Sequence, residues 1–333
     1  MAEAFSPEQL RSFLVHRTSM IASGWTDRKI QRAVTERALY RVSPGWYLDA
    51  QQWDRLRFEQ QHLIRAWCTR AAAATPPLFS HYTAAAIVNL PLLRFADDRV
   101  HTLVPASNSR RSRGSVVRHR AVIEPDDVAD SAGLLHTNEV RTLLDLIRVA
   151  SFEQGVVAGD VLLRRFVSSR QGSVEGYRAM LLARLESMSG SRGKDRARRV
   201  IEFLDPLSES PLESLFRLQL ARLGFEIRLQ VRVRAQDGSW YRMDMELVGY
   251  GVFLEADGRV KYTEQSMLGG KSLQEVLLNE RKRENWVSGT TNARTIRGVW
   301  KEALTPQQTA TMLRNYGVTP PSDISGRMRR DLF

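Results

Sequence analysis

The sequence predicts an α+β protein of more than one domain. Three observations carry that reading. At 333 residues the chain is longer than one ordinary domain, so two or three are expected. Apolar residues recur at helical spacing in some stretches and alternate with period two in others. A tract rich in Ser, Gly and basic residues, SMSGSRGKDRARR from Ser187, interrupts the pattern and marks a domain boundary. Hydrophobic content of 43% and charged content of 26% place the chain among globular proteins. The expected divisions are 1–50, helical with a small hairpin; 51–190, a mixed α/β middle region; 206–318, a helix followed by strands; and a tail, 319–333.

In the first division, Ser6, Pro7 and Gln9 form a helix start, with cap, first-turn proline and capping-box partner. A second helix covers Thr18 to Ala22, ended by Gly24. Thr26 caps a third, DRKIQRAVTERA, with Ile30, Val34 and Ala38 on its apolar face and Arg28, Lys29, Arg32 and Arg37 opposite. LYRV, a Ser43–Gly45 turn and WYLD follow as a hairpin. Three helices and a two-stranded wing make a winged helix-turn-helix, whose third helix would enter a DNA major groove. The same charges also suit a solvated helix face.

In the middle, one long helix is expected from Trp53 to Ala74, and another from Phe79, begun by Ser80 and broken before Pro91. His62 reads as a packing residue, because no partner stands at metal-ligand spacing. Strand-like VHTLVP and SVVRHRAVI flank an acid-free loop, NSRRSRGS. Its Arg110, Arg111 and Arg113 would meet phosphates, or solvent if the loop is only surface. Thr137 is the expected cap of NEVRTLLDLIRVA. Asp145 and Asp160 read as helix-surface acids or as buried, paired ones. The formal net charge is +12, which favours a polyanionic partner. One cysteine excludes an internal disulfide and a cysteine zinc cluster. With no signal-peptide pattern and no apolar run near the ~20 residues a membrane helix needs, a cytoplasmic location away from membranes is expected.

The most informative stretch runs from Pro211 to Lys261. Ser210 caps a helix with Pro211 first and Glu213 in its opening turn, and Gly224 ends it. In YRMDMELV, Tyr241, Met243, Met245 and Leu247 alternate against Arg242, Asp244 and Glu246; in VFLEAD, Phe253, Glu255 and Asp257 share a face. Paired, these strands would crowd four carboxylates onto one side, with Glu213 near. Crowded carboxylates repel unless a cation holds them. Glu213, Asp244 and Glu255 are therefore candidate ligands of Mg²⁺ (or Mn²⁺), with Asp257 and Lys261 as further catalytic candidates. An exposed sheet face balanced by Arg242 and Arg259 fits the same residues.

Two resemblances sharpen these expectations. The wing pattern R-V-x-x-G-x-Y, at Arg41, Val42, Gly45 and Tyr47, resembles the N-terminal domain of AbiEi-type antitoxins. Ala38 stands where that pattern usually has Gly. HTNEVRTLLDL and GDVLLRR resemble the same proteins' scaffold region, which implies homo-oligomer formation. The C-terminal order of S-P-L-E (Ser210–Glu213), R-x-D (Arg242–Asp244), E-x-D-G-x-x-K-Y (Glu255–Tyr262), E-x-K-R-E (Glu280–Glu284) and the strand TIRGVW resembles the PD-(D/E)XK restriction-endonuclease-like superfamily. More narrowly, it is similar to the branch related to very-short-patch repair endonucleases. This implies an α/β/α domain with a mixed sheet. The chain departs at Asp257, which stands where the superfamily keeps lysine, and its six histidines all precede residue 137.

Two functions follow as expectations. The first is Mg²⁺-dependent hydrolysis of DNA phosphodiester bonds in defence or repair, with Arg28, Lys29, Arg32, Arg37, Arg41 and the Arg110–Arg113 loop on DNA. The second is a non-enzymatic, antitoxin-like repressor with a degenerate nuclease fold, genetically linked to a nucleotidyltransferase toxin.

Overall fold

A computed structural model describes residues 5, 7–93, 97–107, 112, 114–258 and 273–321. Ser6, Arg110, Arg111, Arg113, Arg259, Lys261, Lys271 and the tail beyond residue 321 lie outside the described residues. The protein is α+β, with three sheets among the described residues. Its contacts divide it into two units. One comprises 2–150 with 181–194; the other comprises 151–180 with 195–333.

The first unit opens with α1 (Pro7–Ser12), β1 (Val15–His16), α2 (Arg17–Ala22), α3 (Asp27–Thr35), β2 (Leu39–Ser43) and β3 (Trp46–Asp49). The Thr26 hydroxyl accepts from the Lys29 amide at 3.2 Å, which fixes where α3 begins. Ile30 is buried with Met20 and Tyr47 in a small apolar cluster. β1 pairs with β3, so the hairpin is a three-stranded sheet. α3 stops at Thr35, and Arg37 follows with φ 56 rather than extending the helix's basic face. Arg37 pairs with Asp54 at 3.4 Å.

The long helix expected from Trp53 is two, α4 (Ala50–Arg55) and α5 (Phe58–Ala72). Leu56 breaks it with an extended backbone at ψ 141, because its side chain is buried and Gln60 caps the Arg57 amide at 2.8 Å. β4 (Leu78–Phe79), α6 (His81–Ile87), β5 (Val100–Pro105), β6 (Val116–Ala121), β7 (Val128–Ser131) and β8 (Leu134–Thr137) follow. They build a mixed sheet of order β6-β5-β4-β8-β7. Thr137 ends β8, and Asn138 is the cap of α7 (Glu139–Val149), accepting from the Arg141 amide at 2.8 Å.

Four of the six histidines gather beside this sheet. His62 Nε2 lies 2.7 Å from the Thr83 hydroxyl, and the same hydroxyl accepts from the His101 amide at 2.8 Å. His81 stacks on His119 with ring centres 3.6 Å apart, and His101 Nδ1 lies 2.9 Å from His119 Nε2. Burial pushes all four imidazoles down from their ordinary pKa, His62 to about 3 and His119 to about 4.

The second unit starts with α8 (Phe152–Ser168). α9 (Val174–Ser187) runs on into residues 181–194 of the first unit, and α10 (Lys194–Phe203) then leads to α11 (Pro211–Leu223). β9 (Ile227–Arg234), β10 (Trp240–Leu247), β11 (Val252–Ala256), α12 (Leu273–Thr291) and β12 (Arg294–Gly298) complete the sheet, followed by α13 (Trp300–Ala303) and α14 (Pro306–Asn315). Sheet order is β12-β11-β10-β9, with β11 and β12 parallel and the other pairs antiparallel. Adjacent strand residues point to opposite faces. Arg297 meets Glu280 and Glu284 of α12, so Gly298 faces away from that helix, against Phe216 of α11. The sheet is thus sandwiched between α11 and α12. A Cβ at Gly298 would fall 2.3 Å from the Phe216 ring, so Gly298→Ala is expected to cost about 1–3 kcal/mol through overpacking. Chemical denaturation of the variant checks this; an unchanged midpoint would refute the contact. Among the described residues no helix is long and apolar enough to cross a membrane.

Candidate functional site

Of the residues singled out in Pro211–Lys261, Glu213 opens α11 and Asp244, Glu255 and Asp257 gather where β10 and β11 lie side by side. Ser210 Oγ accepts from the Glu213 amide at 3.2 Å and fixes Glu213 in the first turn. Gly224 closes α11 in the left-handed region at φ 83, which sends the chain directly into β9. β10 and β11 pair with Met245 opposite Leu254, a register that sets Asp244 beside Glu255. Asp244 Oδ2 accepts from the Ala256 amide at 2.8 Å.

A hollow of about 200 Å³ opens there, lined by Glu209, Asp244, Glu255, Asp257 and Glu280 against Arg242, Arg283 and Arg297, with Gln230 and Ala256. Glu213 stands just behind it. Its Oε2 accepts from the Glu209 amide at 2.8 Å and from Gln230 Nε2 at 3.1 Å. Burial raises the Glu213 pKa above the usual carboxylate range, and the Asp244 charge pushes the same way. That coupling puts the two carboxylates in one electrostatic neighbourhood.

Glu246 departs from the expected four-acid face. It lines a different hollow with Phe253 and Trp286, and pairs with Arg228 at 3.2 Å. The alternation breaks at Asp244: Met243 belongs to one apolar cluster with Phe253 and Val287, yet the ladder partner of Phe253 is Glu246. Residues 243 and 246, three apart, thus share a face. The irregularity has a backbone cause in β9, where Gln230, across from Asp244, takes φ 52.

One lining residue, Gln230, escaped sequence reasoning, and Arg283, expected from its basic helix to grip a DNA backbone or to face solvent, stands instead on a strand acid. Gln230 bridges Glu213 and Arg242, accepting from Arg242 Nη2 at 2.8 Å. A polar residue amid apolar strand positions was its only signal. Arg283, on α12, donates from Nη2 to Glu255 at 2.5 Å and to the Arg242 carbonyl at 2.7 Å. It brings a guanidinium onto the strand acid, while Asp257 lines the hollow as an acid.

The donor set is oxygen only, which suits a hard divalent cation. Glu255 is engaged by Arg283, and among the described residues no three acids stand together at ligand spacing. Seating a cation here therefore requires Arg283 to release Glu255.

The basic residues expected on DNA belong to the first unit. Arg32 Nε pairs with Glu36 at 2.7 Å, and the Lys29 ammonium sits 4.5 Å from the Trp25 ring centre. Arg28, Lys29, Arg32, Arg37 and Arg41 are all exposed. Compared with known proteins, the chain matches no protein-family model and no curated protein sequence.

Proposed function

We propose that the chain is a DNA-binding protein whose second unit is a metal-dependent endonuclease acting on DNA phosphodiester bonds. One observation supports this above the rest: Asp244 and Glu255, chosen from the sequence, line one hollow with Glu213 just behind it, where burial and then the Asp244 charge raise the Glu213 pKa. Asp244 and Glu255, with Glu213 behind, would hold Mg²⁺ or Mn²⁺. When bound, such an ion lowers the pKa of a water and neutralises charge on the scissile phosphate. Arg283, released from Glu255, is placed to stabilise the phosphoryl oxygens as negative charge builds. Asp257 accepts the proton of the attacking water in this scheme, and Lys261 adds a second cation. Gln230 keeps Glu213 oriented.

In this reading the front of the first unit is a winged helix-turn-helix, with α3 in the major groove and β2–β3 as the wing. The exposed Arg32–Glu36 pair is weak and exchanges readily for a phosphate. Binding through Z phosphates should fall with log salt at a slope of about −0.9Z.

Labelled duplexes of varied sequence, incubated with Mg²⁺ or Mn²⁺, test the proposal. Asp244→Ala and Glu255→Ala are expected to lower cleavage at least about 100-fold, the scale of removing one charge-stabilising group, without losing DNA affinity. Cleavage that persists in both folded variants would overturn it.

A second reading has its own observation. Arg283 already neutralises Glu255, and Arg297 neutralises Glu280 and Glu284. A hollow so compensated suits a degenerate nuclease fold in an antitoxin-like repressor, partnered by a nucleotidyltransferase toxin. Sequence-specific binding that survives both alanine variants but disappears in Arg28→Ala/Lys29→Ala/Arg32→Ala, with no cleavage in either metal, would favour it.

A further inference from the structure

A second hollow, of about 530 Å³, lies wholly within the first unit. Its walls come from α1, β1, α2, β3, α5 and the β7–β8 turn, and include Arg11, His16, Trp46, Trp67 and Arg70. That volume falls in the range of small-molecule sites. Two indoles and two guanidiniums converge on it, and no acidic side chain is among the described residues that line it.

The polar groups are poised for an outside partner. Arg70 Nε is buried with no hydrogen-bond partner. A buried, unpaired donor is costly, so a ligand oxygen that accepts from it would recover that cost. The Arg11 guanidinium sits 5.0 Å from the Trp67 ring centre, which holds a cation at an aromatic wall. His16 Nδ1 is engaged by Thr18, through its hydroxyl at 2.7 Å and its amide at 3.3 Å, which leaves Nε2 for an outside partner. His16 lies against Trp46 with ring centres 4.7 Å apart. A Cβ at Gly45 would come within 3.0 Å of His16 Nε2, so glycine at the wing turn is what lets the imidazole occupy this place.

Aromatic faces beside cationic donors, in a concave site free of acids, recognise a flat ring joined to an anion. We propose that this hollow binds a phosphorylated nucleoside, its base stacked on an indole and its phosphate held by Arg70, Arg11 and His16. Such stacking contributes about 1–3 kcal/mol per base. The hollow shares Ser19 of α2 and Trp46 of β3, so an occupant touches the elements flanking α3. Binding there is expected to alter how α3 is presented.

The same chemistry belongs to a free mononucleotide and to an unpaired nucleotide at a nucleic-acid end. Titration of the full chain with AMP, ATP and GTP, with adenosine, with pyrophosphate, and with a 5′-phosphorylated single-stranded oligonucleotide separates these. Tryptophan fluorescence and calorimetry provide the readouts. A nucleotide is expected to saturate at millimolar concentration or below, more tightly than adenosine or pyrophosphate. Arg70→Met and the exposed Arg11→Met are each expected to weaken it about tenfold, equivalent to 1.4 kcal/mol. An oligonucleotide that outbinds the mononucleotides assigns the site to a strand end. Absence of saturable nucleotide binding, pyrophosphate binding as tight as AMP, or affinity unchanged in folded Arg11→Met would each overturn the proposal.

Discussion

Acidifying from pH 7 to pH 5 is expected to destabilise the first unit by several kcal/mol, enough to challenge a typical domain's whole stability. His62, His81, His101 and His119 are buried in their neutral forms, and burial is the largest cause of each depressed pKa. Neighbouring cations act in the same direction: Arg65 on His62, Arg141 and Arg148 on His81, and Arg99 on His101 and His119. Only Asp97 opposes. The unfolded chain protonates near pH 6.5, whereas the folded imidazoles stay neutral down to about 3 for His62 and about 4 for His119. Folding stability is therefore intact above pH 6.5 and falls as pH drops towards the folded values. For His62 and His119 the loss is about 1.4 kcal/mol per pH unit each, and His81 and His101 add to it in the same direction. Asp145, raised by burial to about 6, is relieved over the same range and offsets one imidazole of the four. Urea midpoints read by hydrogen exchange in β5 and β6, at half-unit steps of pH, measure the slope. His119→Gln should make it shallower by nearly one proton. A midpoint flat between pH 7 and pH 5 would sink this account.

Arg217→Met is expected to cost the second unit about 3–5 kcal/mol. Arg217 Nη2 donates to both oxygens of Asp160, at 3.0 and 2.9 Å, and Asp160 is fully buried. Arg217 also donates to the Ser208 hydroxyl and the Phe203 carbonyl, and Asp160 accepts from the Asp205 amide. Removing the guanidinium alone strands a carboxylate that burial already pushes towards its neutral form. Replacing both partners by apolar residues of similar volume, Asp160→Leu with Arg217→Met, leaves no orphan charge and is expected to recover most of the loss. Denaturation of both singles and the double gives the coupling directly. Strict additivity of the two substitutions would show that the pair does not act as a unit.

Much of this architecture was readable because it is written in local chemistry. Caps at Thr26 and Ser210, the left-handed Gly224, and the alternation through Val252–Asp257 each act within a few residues. The convergence of Glu213, Asp244 and Glu255 was legible for the same reason: two lie on consecutive strands and the third opens the preceding helix. What escaped depends on tertiary pairing. β1 and β4 have two residues each, too few for a period to register. The left-handed Gln230 breaks an alternation that the letters of YRMDMELV continue without interruption, so Glu246 was placed beside Asp244 when it belongs with Phe253. Arg283 reaches Glu255 only because α12 lies across the sheet. The histidines, scattered from residue 62 to residue 119, meet through the β4–β5–β6 order.

The parallel pairing of β11 with β12 has a kinetic consequence. Antiparallel neighbours such as β9, β10 and β11 zip through short turns, but a parallel pair waits for a crossover, and here the crossover carries α12 and hence Arg283. Closing that long loop costs entropy before any ladder contact repays it. Asp244 and Glu255 are thus expected to come together with the hairpin, beside Arg242 of the same strand as Asp244, before α12 brings Glu280 and Arg283. The lining of the hollow is then completed in two stages, and Arg283 reaches Glu255 in the second.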